Sequence, residues 1–154
     1  MTFDGLPLHP LIVHVIVAFV PLTALGALVM AARASWRRPV AIPVLGLAVL
    51  CLVAVPVARS SGDELAEAVH HQSSALDAHM SRADTVLPAM IVYVALLAAV
   101  FLIDLRAARG DTTVALARAG RIAAVLAALA GLVATALVIW TGHAGATATW
   151  SGVL

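Results

Sequence analysis

Four apolar stretches, at about 10–32, 40–58, 85–105 and 121–141, run without a charge near their centres and constrain this chain more than anything else in it. A helix rising 1.5 Å per residue needs about 20 such residues to cross roughly 30 Å of hydrocarbon, and each stretch is long enough. The remaining residues are too few to build a separate water-soluble domain. Of the 154 residues, 63% are hydrophobic and only 11% charged, with a mean hydropathy of +1.07. A soluble domain carries about 25% charged residues, so this surface is made for lipid. The expected fold class is all-α: a bundle of four transmembrane helices forming a single membrane domain over 1–154.

The ends of the stretches fit helices. Pro10 suits a first turn, where the missing N–H has no intrahelical partner. Pro43 and Pro56 fall at the two ends of the second stretch, and Asp84 or Thr85 is placed to cap the third ahead of Pro88. Gly142 stops the fourth. The residues before Pro10 lack the basic charge of a secretory leader, so the first stretch is expected to be a retained span.

Charge sets the orientation. Arg33, Arg37, Arg38, Arg106, Arg109, Arg118 and Arg121 lie on one side, against Arg59 and Arg82 on the other. The side with more arginine faces the cytoplasm, which puts both termini and the Arg59–Asp84 connection outside a bacterial cytoplasmic membrane. Trp36, Trp140 and Trp150 fall near the expected interfaces, where indole is favoured. A net charge of +1 gives nucleic acid no electrostatic hold. The lone cysteine, Cys51, lies in an apolar run and forms no internal disulfide.

Between the second and third spans the sequence predicts an additional amphipathic helix on the outer face, at about 61–83. Ser61-Gly-Asp-Glu64 reads as a capping box. Leu65, Val69, Leu76, Met80 and Ala83 then fall on one stripe at helical spacing. No internal repeat or low-complexity linker appears; the helix-pair arrangement is compatible with a duplicated hairpin, but no sequence similarity supports one.

The histidines are the chemical signal. His9, His14, His70, His71, His79 and His143 are dispersed in sequence, yet the topology gathers all six at the outer face. His14 interrupts an apolar run, and an imidazole there is expected to face the bundle interior, toward a hydrogen-bond partner or a cofactor. His79 lies beside the apolar stripe, whereas His70 and His71 point away from it and read as rim residues. Neutral imidazole suits iron, copper and zinc alike. There is no cysteine pair, HExxH or carboxylate-rich motif for structural zinc or a di-iron centre. Small residues of the fourth span (Ala123, Ala124, Ala127, Ala128, Ala130, Gly131, Ala134) would flank a flat macrocycle, but they equally serve close helix packing, the reading favoured here.

Leu8-His9-Pro10-Leu-Ile-Val-His14, then Pro56…Ser61-Gly62-Asp-Glu-Leu65…His79, then Gly142-His143-Ala-Gly145-Ala146…Trp150 occur in this order. Together they resemble the bacterial membrane family catalogued as domain of unknown function twenty-two thirty-one, over nearly the whole chain. The resemblance implies a histidine set of His9, His14, His79 and His143, leaving out His70 and His71. It also implies an electron-transfer setting, since some members are joined to Rieske-type iron–sulfur domains. The chain departs from the family where Met80 replaces the carboxylate that often follows the middle histidine.

The expected function is a b-type haem-binding electron-transfer protein with His9, His14, His79 and His143 at the outer face. The alternatives are a copper or zinc module using the same imidazoles, or a non-redox accessory subunit of a larger membrane complex. Partners would be the bilayer and a redox protein or respiratory complex, and a homo-oligomer is compatible. No nucleophile–base pair is visible, so a carrier or binding protein is expected rather than an enzyme. No ionisable residue near a span midplane suggests a transporter.

Overall fold

The computed structural model describes residues 2–69, 73–111 and 113–150. Two-residue strands β1 (Thr2–Phe3) and β2 (Leu6–Pro7) pair antiparallel across Asp4 and Gly5, whose φ angles of 49° and 79° are those of a tight hairpin turn. Four long helices follow: α1 (Leu8–Ala32), α2 (Arg37–Val69), α3 (Ser74–Ala108) and α4 (Val114–Trp150). All four are long and apolar enough to cross a membrane. Each packs chiefly on two neighbours, in the ring α1–α2–α3–α4.

The helices overrun the expected spans, and this removes the separate amphipathic helix. Residues 61–69 are the end of α2 and residues 74–83 the beginning of α3. Nothing after Ala58 stops α2: Pro56 forfeits one backbone bond, a loss that spanning helices tolerate. Ser61 does not cap. Its hydroxyl bonds back to the carbonyls of Val57 and Ala58 inside the helix. The cap is Ser73, whose Oγ accepts the Leu76 N–H at 3.2 Å to start α3.

Although residue identities do not repeat, burial does. His9 and His79 are 70 residues apart, and the same shift carries the buried Ile16, Val20, Thr23, Ala27 and Met30 of α1 onto Val86, Met90, Tyr93, Leu97 and Val100, the buried set of α3. Gly62 and Gly145 are 83 residues apart. That shift carries the buried Ala41, Val44, Ala48, Cys51, Val55, Ala58 and Ser61 onto Ala124, Ala127, Gly131, Ala134, Val138, Thr141 and Ala144, all buried in α4. Hairpin α1–α2 and hairpin α3–α4 are therefore one structural unit used twice, as in membrane folds built from parallel repeats.

Packing in this ring depends on small residues, since lipid supplies no hydrophobic drive between helices. A Cβ on Gly26 would run into the Val44 side chain, and Gly131 sits under the Tyr93 ring against the backbone of Ala24. The small residues of the fourth helix are thus packing residues. At the arginine end, buried Arg37 donates from Nε to the Met30 carbonyl at 3.1 Å, satisfying an acceptor that the end of α1 leaves open.

Candidate functional site

At the opposite end the repeat brings two histidines together. His9, in the first turn of α1, donates from Nδ1 to the Ala58 carbonyl of α2 at 2.7 Å. His79, in the second turn of α3, donates from Nδ1 to the Thr141 carbonyl of α4 at 2.9 Å. A carbonyl only accepts, so Nδ1 carries the proton in both rings, and Nε2 of the neutral imidazole keeps its lone pair. Among the described residues neither Nε2 has a hydrogen-bond partner. The ring centroids are 6.3 Å apart and the ring planes stand at 89°.

Each ring lies against a glycine one helical turn beyond its carbonyl. A Cβ on Gly62 would come within 2.9 Å of the His9 ring, and one on Gly145 within 3.0 Å of the His79 ring. The four-residue spacings Ala58–Gly62 and Thr141–Gly145 are therefore two copies of one imidazole seat, a carbonyl to fix the ring and a bare backbone to admit it. Gly62→Ala and Gly145→Ala are each expected to weaken any ligand of the pair by about tenfold, the lower end of the effect of disturbing groups that orient ligating histidines. Ligand affinity in detergent or nanodiscs, with thermal unfolding alongside, reads the change.

Between the rings is a cavity of about 90 Å³. Below them its walls are aliphatic: Ile16, Val55, Val86 and Val138, one from each helix and all buried, close it toward the bundle centre. Thr141 also belongs to this lining, and its hydroxyl is buried without a hydrogen-bond partner among the described residues. A buried polar atom left unpaired costs about 1–3 kcal/mol, so it marks a place where something polar is missing.

The other expected site residues are not part of this pair. His14 is exposed on the outside of the bundle, its Nδ1 donating to the Pro10 carbonyl of its own helix at 2.5 Å. The inward position expected for it is corrected by helix geometry, because two residues from inward Ile16 is a turn of about 200°. His143 is likewise exposed, on the outward side of α4 between buried Thr141 and Ala144. His70 and His71 lie outside the described residues. The structure thus brings together two of the four expected imidazoles, not four. Among the described residues no group of three or more histidine, cysteine or acidic side chains is placed to hold a metal ion.

Sequence reading missed the partners of the pair: the Ala58 and Thr141 carbonyls, Gly62, Gly145 and the Thr141 hydroxyl. A signal existed in the glycines, which recur four residues after each accepting carbonyl, Ala58 and Thr141, with no obvious turn to explain them. Over residues 5–154 the chain matches the family model described as predicted membrane protein (DUF2231). It belongs to that family. The family's description places its members in a membrane and assigns no activity. No curated protein and no solved structure matches the chain.

Proposed function

We propose that this DUF2231 protein is a metal-binding membrane module, in which His9 and His79 hold one transition-metal ion of the copper or zinc class. One observation carries the reading: two imidazoles that line one cavity with ring centroids 6.3 Å apart, each fixed through Nδ1 by a backbone carbonyl. Ligating histidines almost always donate their other ring N–H to such an acceptor, which sets tautomer and orientation. The protein's share of the chemistry is to hold the two imidazoles and to bound the bundle side of the cavity with the Ile16, Val55, Val86 and Val138 layer.

Haem b, the first expectation from sequence, fits the pair less well. Cofactor pockets typically measure about 300–1,000 Å³. The cavity between His9 and His79 is about 90 Å³, room for an ion with a few small ligands but not for a porphyrin. His14 and His143, which a second axial pairing would need, are exposed on the outer surface of the bundle. The arginine asymmetry supports placing the pair at the extracytoplasmic face, with metal arriving from that side.

Metal analysis and an absorption spectrum of the purified protein test this. The expected result is about one equivalent of copper or zinc per chain after reconstitution, without a Soret band. A Soret band at stoichiometric intensity would replace the bare-ion reading with haem. Failure to take up either metal, with no haem present, would remove the cofactor site altogether.

A further inference from the structure

The charge and shape of the cavity narrow the ion further. Apart from the two neutral imidazoles, its lining is aliphatic, with the Thr141 hydroxyl and one cation, Arg59. Among the described residues no carboxylate lines it. Asp84 is paired with Arg59 at 2.8 Å, and Asp63, Glu64 and Glu67 line an adjoining groove that shares Val55, Arg59 and Ala83 with the cavity. An ion seated between the rings therefore meets no carboxylate among the lining residues to offset its charge. The cost of burying an uncompensated charge is large, and it grows with the square of that charge. A divalent ion has about four times the penalty of a monovalent one at similar radius.

Ligand number points the same way. Structural zinc is almost always bound by four protein ligands, and catalytic zinc by three. Among the described residues two are available. With metal–imidazole bonds of about 2 Å, a collinear pair sets the ring centroids roughly 6 Å apart, whereas a tetrahedral angle draws them to roughly 5 Å. With both Nε2 atoms turned toward the ion, the observed separation of 6.3 Å falls at the collinear value. Monovalent d¹⁰ ions, Cu(I) and Ag(I), accept two nitrogen donors in line. Zinc does not.

We infer that the His9–His79 pair is a two-coordinate site for a monovalent d¹⁰ cation, physiologically cuprous copper, and discriminates against divalent zinc. The inference rests on the metal-site reading above and adds the ion's charge state. Asp63, Glu64 and Glu67, at the same end of the bundle, give an approaching cation a negative field without themselves coordinating it.

Competition titration tests it on the full-length protein in nanodiscs, with Ag(I) as the redox-inert probe and Zn(II) as the comparison. Cys51 is buried, but a thiol also takes silver, so the titrations are repeated with Cys51→Ala, a change to the residue found at the equivalent Ala134. Silver should bind at one equivalent per chain at least about 100-fold more tightly than zinc. That site should persist in Cys51→Ala and disappear in His79→Ala, whose folding is verified by circular dichroism. X-ray absorption at the silver edge should show two nitrogen neighbours. Zinc binding as tight as silver, lost in His79→Ala, would overturn the monovalent inference and leave the metal site standing. Binding of neither ion, or silver binding that depends on Cys51 and not on His79, would overturn both.

Discussion

His9→Ala and His79→Ala should each lower metal affinity by at least about 100-fold, while His14→Ala and His143→Ala leave it within about threefold. The lower bound follows from outer-shell partners: losing a group that merely orients a ligating imidazole costs about 10–100-fold, so losing the imidazole costs more. In a site with two protein ligands the survivor holds the ion by one bond. The contrast between pairs matters most, because the family resemblance alone treats all four histidines alike. Geometry does not. His9 and His79 line one cavity with ring centroids 6.3 Å apart, whereas His14 and His143 are exposed on the outer surface of the bundle. Isothermal or competition titration of the four variants, each with a folding control, decides the matter. Equal losses across all four would mean that a larger cofactor, spanning inside and outside of the bundle, is the true ligand.

Much of the fold was legible because the membrane leaves a chain few choices. Backbone polar groups in hydrocarbon must pair within the segment, so four long uncharged runs become four helices whatever their side chains are. Helix ends were harder. Beyond the lipid, Ala58 to Val69 can continue as helix or turn away, and capping-box residues fit either outcome. The Ser61 hydroxyl settled into its own helix. The site was half legible. That histidines gather at one end follows from topology, but which way each imidazole points depends on the rotation of its helix. Rotation is set by packing contacts between residues far apart in sequence, such as Gly26 against Val44. His14, in an apolar run, gave no internal phase, since residues on both sides of it are equally hydrophobic. The duplicated hairpin was hidden for a related reason. Burial repeats while residue size is exchanged between halves, as where Thr23 corresponds to Tyr93 and Ala48 to Gly131.

That exchange of size makes Gly131→Val a strongly disruptive change in the bundle. Gly131 faces Tyr93, which is fully buried, and a Cβ at that position would meet the aromatic ring at 3.0 Å and the Ala24 Cα at 3.2 Å. The ring is fully buried, and the second obstacle, the Ala24 Cα, is backbone. Two further methyl groups would have to push α1, α3 and α4 apart. Overpacking of this kind costs about 1–3 kcal/mol, with the upper end expected where backbone is one of the obstacles. Gly46→Ala supplies the control, because a Cβ there meets nothing within 4 Å. It should leave stability unchanged or raise it by up to about 1 kcal/mol through helix propensity. Thermal unfolding in one detergent compares the two directly. The consequence for function is indirect but follows from the layers: Val138 and Val86, which close the histidine cavity, lie about two turns from Gly131 and Tyr93 on the same two helices. Splaying those helices opens the floor beneath His9 and His79, so Gly131→Val should also weaken metal binding without touching a ligand. If that variant unfolds at the wild-type temperature and binds metal normally, the Tyr93–Gly131 crossing does not hold the repeat together.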